Sequence, residues 1–388
     1  MDKTILNYCT GCRLCEAVGI ANLTVNEKGF YVPVSGQNES LKKICPCYGH
    51  QTRTYDKKSV WGKAKNVYFG WSLDDDLRRK ASSGGILSEV ALYLLENGIV
   101  DGIIQTGISK EDPTRTETYI STSREEVIHC SGSRYGISAP LIAIQAIEKN
   151  KKYAFIGKPC DVAALKNAFD VYPDLRNSIL YTMAFFCAGL PSSDAQTKLL
   201  SELGCAKEDC VNLRYRGDGW PGYATAVSSD GKEYKMDYDS SWGKILGRDI
   251  MKSCRFCLDG IGESADIACG DAWYLTSDLQ PDFSEHNGRN VILCRTESGK
   301  ALIDSMSQDK RIEVHPFDDY LDKLKYIQHF QYERRTTMLP KIVALCAMGR
   351  PFPKYSWSVL LQYMKHASIR SCWRTFKGTV SRIRQGKI

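Results

Sequence analysis

Cys9, Cys12 and Cys15 stand at strict three-residue spacing in Cys9-Thr10-Gly11-Cys12-Arg13-Leu14-Cys15. That spacing lets one short turn point three thiolates at a common centre. A [4Fe–4S] cluster takes four cysteine thiolates, and the bacterial ferredoxin run begins with this pattern. A zinc site usually pairs two cysteines in one turn with two ligands elsewhere. The triple therefore favours iron–sulfur chemistry and one-electron transfer. The ferredoxin run would continue with a fourth cysteine where this chain has Gly19. Cys45-Pro46-Cys47 offers a replacement: Cys45 carries the following proline and makes Cys9, Cys12, Cys15 and Cys45 one site, with Cys47 the rival fourth ligand. The bland alternative is a degenerate module that holds no cluster.

A second group of cysteines is dispersed. Cys254-Arg255-Phe256-Cys257 is a lone Cys-x-x-Cys, weak by itself. Cys160 follows a predicted strand in Gly157-Lys158-Pro159-Cys160, and Cys187 ends another. Loops at the carboxyl ends of neighbouring strands meet in α/β folds, where ligands bind, so these four thiols can close a second site. Free cysteine is also among the most buried residue types, and spacing alone leaves both readings open. Cys269 alternates with Ile267 on a predicted strand, which makes it core. In Ala265-Asp266-Ile267-Ala268-Cys269-Gly270-Asp271, the closing Gly-Asp suggests an acid aimed at a ligand.

Two loops have the composition to hold a nucleotide. In Ala81-Ser82-Ser83-Gly84-Gly85, a serine N-cap and two glycines would leave backbone N–H groups at the positive end of a helix, which suits a phosphate; plain helix capping is the commoner use. Ser131-Gly132-Ser133-Arg134-Tyr135 gathers hydroxyls, a cation and an aromatic ring, in what could equally be a surface loop. None of the histidines has a metal-binding spacing, and there is no nucleophile elbow or Walker loop.

These groups need a scaffold. The 388 residues suffice for one large domain and a smaller one. Residues 1–60 read as a small cluster-binding module, 61–314 as an α/β domain, and 315–388 as a helical extension. Val67–Trp71, Val100–Thr106, Lys152–Ile156 and Asn290–Leu293 read as strands, and Ile179–Cys187 as a strand buried on both faces. Apolar spacing predicts helices over Gly85–Asn97, Ala139–Lys149, Asp161–Phe169 and Gly299–Met306. Beyond His315 the pattern is helical, broken by Pro340, Pro351 and Pro353. Alternating strands and helices argue for a mostly parallel or mixed sheet.

Sixteen cysteines without a secretory signal or an apolar run of membrane-spanning length point to a reducing, cytoplasmic setting. The net charge of +7 is uneven: from Arg350 onward there are nine Lys and Arg and no acid, so the rest of the chain is slightly negative. Trp357, Leu360, Leu361, Tyr363 and Met364 mix with Lys365, Arg370, Arg374, Lys377, Arg382 and Arg384 in this tail. It suits either peripheral contact with the inner face of a membrane or docking on the body with a solvated basic face. Nothing else in the chain supports nucleic-acid binding.

The ordered motifs Cys-x-x-Cys-x-x-Cys, Ser-Ser-Gly-Gly, Gly-Ser-Arg-Tyr, Gly-x-Pro-Cys, Cys-x-Gly-x-Pro-Ser, Arg…Gly-Trp, Cys-x-x-Cys and Ala-Asp-Ile…Gly-Asp-x-Trp run from about Cys9 to about Gly299. In this order the chain resembles the coenzyme F420 hydrogenase/dehydrogenase beta-subunit family, whose relatives include 7-hydroxymethyl chlorophyll a reductase and proteins of polysaccharide gene clusters. The resemblance implies an α/β iron–sulfur flavoprotein with a ferredoxin-like N-terminal module, two [4Fe–4S] clusters and FAD. It implies that Cys160, Cys187, Cys254 and Cys257 ligate the cluster near the flavin. It also implies that Ser82, Ser83, Gly84, Gly85, Ser133, Arg134, Tyr135 and Lys158 belong to the cofactor pocket. The implied activity is oxidoreduction between a ferredoxin-like or F420 electron partner and an organic substrate, or electron transfer to a partner oxidoreductase or glycan-pathway enzyme. Three positions depart from the family pattern: Gly19 replaces a frequent cysteine, Lys158 a threonine and Ala188 a histidine. Lys158 is expected to place an extra positive charge beside a cluster, favouring its reduced state.

Overall fold

A computed structural model describes residues 2–48, 56 and 59–388. Thirteen strands are formed among them: β1 (Ala21–Val25), β2 (Tyr31–Gly36), β3 (Asn66–Ser72), β4 (Gly102–Ile108), β5 (Thr116–Ser121), β6 (Tyr153–Gly157), β7 (Ile179–Phe185), β8 (Cys210–Arg214), β9 (Ala224–Ser228), β10 (Glu233–Met236), β11 (Ile267–Asp271), β12 (Asn290–Cys294) and β13 (Ile312–Pro316). Eight make one sheet in the order β13-β3-β12-β11-β7-β6-β4-β5. Its centre, β4, β6, β7 and β11, is parallel, while β5, β12, β3 and β13 run antiparallel on the two sides. The mixed sheet expected from the alternating pattern is what forms.

Period-two alternation divides the side chains between two faces. Ile267, Cys269, Ile292 and Cys294 meet the helices Ile86–Glu96 and Glu297–Gln308 through Ile86, Val90, Leu94, Leu302, Ile303 and Met306. Ala268, Val291 and Leu293 point the other way, toward Trp61, Leu324 and Ile327. Cys269 is core, as its alternation predicts. A smaller sheet, β10-β9-β8, packs with the helix Ser193–Leu203. The hairpin β1–β2 belongs to the N-terminal segment, whose Ile5, Tyr8, Leu41 and Cys47 share a core with Phe256, Leu258, Met338, Leu345, Leu360, Tyr363 and Ile383. The two ends of the chain thus bury one another's apolar surface.

Several local expectations are corrected. The stretch predicted as helix over Ala139–Lys149 forms only a tight 3₁₀ segment, Pro140–Ala146. β7 is not buried on both faces: Leu180 is exposed at its start and Phe185 opens on a cavity at its end. The break expected at Pro340 falls at Thr337, between the helices His329–Thr336 and Met338–Ala347; Pro340 itself is the third residue of the second, where a backbone N–H has no intrahelical acceptor. The helix Ile86–Glu96 is entered through Gly85, at φ +79°, with no serine cap. A left-handed entry of that kind favours glycine.

Candidate functional site

The carboxyl ends of the parallel strands open on a cavity of about 1060 Å³. Gln105 and Thr106 of β4, Gly157 and Lys158 after β6, Phe186 to Gly189 after β7, and Gly270 and Asp271 of β11 form its floor. This is the edge at which open α/β sheets bind ligands. Both loops singled out for a nucleotide reach it: Ser82, Ser83 and Gly85 from one, Ser133, Arg134 and Tyr135 from the other. They are tied together, since the Ser133 N–H donates to Ser82 Oγ at 2.5 Å. Ser83 Oγ donates to the Arg289 carbonyl. Gly84 turns away from the cavity; a Cβ there would lie 2.7 Å from the Gly70 carbonyl oxygen, so its role is close packing on β3. Arg134 is not a free cation for a ligand: its guanidinium donates to the Leu213 and Pro113 carbonyls and lies over the Tyr215 ring.

The dispersed cysteines converge. Cys160 sits in the first turn of the helix Pro159–Phe169, Cys187 follows β7, and the short helix Lys252–Arg255 carries Cys254, with Cys257 just beyond it. Burial pushes all four thiols up, Cys254 to about 11 and Cys257 to about 12. The charge of one raises the next: Cys187 acts on Cys160, Cys254 and Cys257. The N-terminal set behaves alike. Burial raises Cys9, Cys12 and Cys15, the last to about 12, and each is raised further by Cys45. Cys45 is itself raised, first by its contact with Cys47, whose Sγ is 3.1 Å away, and then by burial. Thiols this basic are protonated at neutral pH unless a metal displaces the proton.

Among the described residues, no three His, Cys, Asp or Glu side chains stand close enough to hold a single metal ion. A tetrahedral zinc ion would need sulfurs about 3.8 Å apart, from a bond of about 2.3 Å. A four-iron cluster interposes a cube of atoms and spreads its thiolates wider. Four buried thiols from three segments, each acting electrostatically on others of the set, suit the donor chemistry of a cluster.

Lys158 is buried, but its charge is not free. Its ammonium lies 2.7 Å from Asp161 and donates to the carbonyl and hydroxyl of Ser138. The expected extra charge beside the second cysteine set is therefore largely neutralised. A cation that faces this set and, among the described residues, forms no ion pair with a carboxylate is Arg334, which sequence reasoning missed. Its guanidinium donates to the Cys187 carbonyl at 3.0 Å and to Gln331 Oε1 at 2.9 Å. It lowers the proton affinity of Cys187, Cys254 and Cys257 against the larger effect of burial.

Asp271 does reach the cavity, as the Gly-Asp ending suggested, but its oxygens are already bonded. Arg216 Nη1 and Nη2 donate to its two oxygens at 2.9 and 3.0 Å, and Trp220 Nε1 donates at 2.9 Å. Arg216 also lies over Tyr238 and Trp273, and Trp273 stacks on Trp220 with centroids 4.7 Å apart. Of these rings, Tyr238 and Trp273 line the cavity, while Trp220 backs Trp273 from within the core. The remaining wall comes from the C-terminal helices: Arg334, Lys341, Arg374, Thr375, Gly378, Thr379 and Arg382 line it beside Arg255. The tail's positive bias was legible, but which of its faces turns inward was not.

The fold and site define a mixed α/β protein with a ligand cavity at the carboxyl edge of its parallel strands and two convergent sets of buried thiols. Models of the N-terminal and C-terminal parts of the coenzyme F420 hydrogenase/dehydrogenase beta subunit match residues 67–145 and 150–320, together well over half of the chain. The chain belongs to this family. It is 25% identical over 297 residues to a coenzyme F420 hydrogenase subunit beta of Methanococcus voltae, covering 76% of this chain and 99% of that protein. It is 24% identical over 252 residues to an F420-dependent formate dehydrogenase subunit beta of Methanocaldococcus jannaschii, covering 62% of this chain and 59% of that one. Among solved structures, a chain of the F420-reducing [NiFe] hydrogenase complex from Methanosarcina barkeri superposes with a TM-score of 0.58 at 20% identity, over 76% of this chain and 97% of that one. That likeness establishes the mixed α/β fold. No helix among the described residues is long and apolar enough to cross a membrane.

Proposed function

We propose that this protein is an iron–sulfur flavoprotein oxidoreductase that passes electrons between a ferredoxin-like donor or F420 and an organic substrate. The observation that carries the reading is the convergence of Cys160, Cys187, Cys254 and Cys257 beside a cavity whose opposite loops present Ser82, Ser83, Gly85, Ser133 and Tyr135. In this reading the two cysteine sets hold one [4Fe–4S] cluster each and the cavity holds FAD. FAD would supply the exchange between single electrons and hydride. The chain's part is to place the groups and tune them. Arg334 offsets thiolate charge, the Arg216–Asp271 pair and the Trp220–Trp273 stack fix a flat wall, and the Ser82–Ser133 contact clamps the two loops. Anaerobic purification should yield about eight iron and one FAD per chain, as two four-iron clusters require. A colourless protein with bound zinc would refute the assignment.

The alternative is a non-catalytic electron-transfer subunit that serves a partner oxidoreductase or an enzyme of glycan synthesis. The names of the relatives support it, since they are beta subunits and the superposing chain comes from a hydrogenase complex. Steady turnover of a small molecule by the isolated chain, driven by reduced ferredoxin or F420H2, favours the enzyme. Flavin reduction without turnover favours the subunit.

A further inference from the structure

The C-terminal wall of the cavity lies outside both family matches, which end at residue 320. Its helices Met338–Ala347 and Ile369–Arg384 pack on one another and bring Lys341 and Arg382 to the cavity, opposite Arg255 of the Cys-x-x-Cys segment. The three cations are crowded. Lys341 Nζ donates to the Arg255 carbonyl at 3.1 Å, and the charge of Arg382 bears on both Lys341 and Arg255. Among the described residues, no carboxylate forms an ion pair with Arg255, Lys341 or Arg382. The nearby acid, Glu333, is paired with Arg374. The other acidic side chains lining the cavity are engaged as well: Asp161 with Lys158, Asp239 with Lys244 and Asp271 with Arg216.

Like charges gathered in a half-buried wall repel and lose solvation, which the thiols of the neighbouring cysteine set offset in part and an anion bound in the cavity would offset further. The state of Lys341 agrees: burial first, then Arg334 and Arg382, pull its ammonium down to about 7. Gly378 lines the cavity beside this group. It lies in the middle of the longest helix among the described residues, where alanine would be favoured by about 1 kcal/mol, and the Arg382 guanidinium folds over it, 3.5 Å from where a Cβ would stand. The serine–glycine loops, where FAD phosphates are expected, hydrogen-bond to each other and to Arg289 rather than to this group. The two anion-ready regions are separately built.

We propose that Arg255, Lys341 and Arg382 form a recognition site for a phosphate-bearing organic substrate, with a pyrophosphate or nucleoside diphosphate group as the part held. The site rests on the reading of the cavity as a redox site and names the substrate class that cavity takes. Two of its three cations, Lys341 and Arg382, thus come from the C-terminal extension, outside the matched family region.

The test is calorimetric titration of anaerobically purified, FAD-saturated full-length protein with ADP and with inorganic pyrophosphate. Both should bind without releasing FAD. Arg382→Gln and Lys341→Gln should each weaken binding at least about tenfold, the scale of one lost charge-assisted hydrogen bond. Arg382→Lys should retain most of it, and none should change FAD content. Arg382 is half-exposed, so its variants are expected to fold; a melting curve checks this, and the Lys341 variant decides if one does not. The proposal is overturned if wild type binds neither probe, if binding is unchanged in the variants, or if ADP binds only by displacing FAD. If the protein carries no iron or flavin, the redox reading fails on its spectrum while the titration still decides this one.

Discussion

Gly260 is the position where one methyl group should have the largest effect on the second cysteine set. Its carbonyl accepts the Cys187 N–H at 2.8 Å. A Cβ there would lie 1.4 Å from Arg334 Nη2 and 2.3 Å from Gln331 Oε1. Both side chains are buried, at 6% and 2% exposure, and both donate to the Cys187 carbonyl. These atoms are the ends of flexible side chains, so they can retreat, but only by giving up those bonds. Losing the charged donor costs about 1.5–3 kcal/mol and the neutral one about 1. Against this, the alanine gains about 0.4–1 kcal/mol by restricting the unfolded chain. Gly260→Ala should therefore destabilise by about 2–3 kcal/mol and lower iron per chain by loosening Cys187. Gly98→Ala is the control: at φ +62° with no atom within 4 Å of its Cβ, it meets only backbone strain of about 1–2 kcal/mol and should leave iron content unchanged. Urea unfolding of anaerobic protein measures both. The decisive comparison is a double-mutant cycle with Arg334→Met, in which the cost of Gly260→Ala should fall below about 1 kcal/mol, since only the contact with Gln331 remains. Additive costs in that cycle, or full iron content in Gly260→Ala, would refute the placement of Arg334 on the Cys187 carbonyl.

Cys45→Ser should halve iron per chain, whereas Cys47→Ser should leave it near the wild-type value; iron analysis with low-temperature EPR reads both, and the reverse pattern would make Cys47 the ligand. The Lys341 ammonium is held below its unfolded value of 10.5, so between about pH 7 and 10.5 the native protein binds fewer protons than the unfolded chain. Its contribution must therefore make stability rise with pH through that window, by up to about 1.4 kcal/mol per unit. Urea midpoints of wild type should gain on those of Lys341→Met between pH 7.5 and 9.5, and a constant gap would contradict the burial of this lysine. The outer face of the last helix exposes Ile369 (90%) and Trp373 (57%) beside Arg370 and Lys377, a combination suited to an anionic bilayer surface. Ile369→Ser with Trp373→Ser should abolish flotation with anionic vesicles without changing the melting temperature. Truncation at Lys354 would be a poor test, because it removes the buried Val359, Leu360, Tyr363 and Ile383.

The cysteine spacing and the residue periodicities determined much of this protein by themselves. Three thiols in one short turn are a local property, and so are the alternation of Ile267 with Cys269 and the helical stripe from Ile86 to Leu94. The family order of motifs followed from the same local patterns. What only the tertiary structure decided are the relations between distant segments. Lys158 lost its expected free charge because Asp161 sits one helical turn away with its carboxylate folded back. Arg334 took over because a helix beyond residue 320 crosses the Cys187 loop. The tail, legible as basic, turned Arg382 inward, beside Lys341 of the helix Met338–Ala347, because Val359, Leu360, Tyr363 and Ile383 bury their apolar surface against the N-terminal segment. Hydrophobic burial fixes which face of that helix is inside, and the charges on the inner side go wherever that face leads. Spacing along the chain carries no information about that choice.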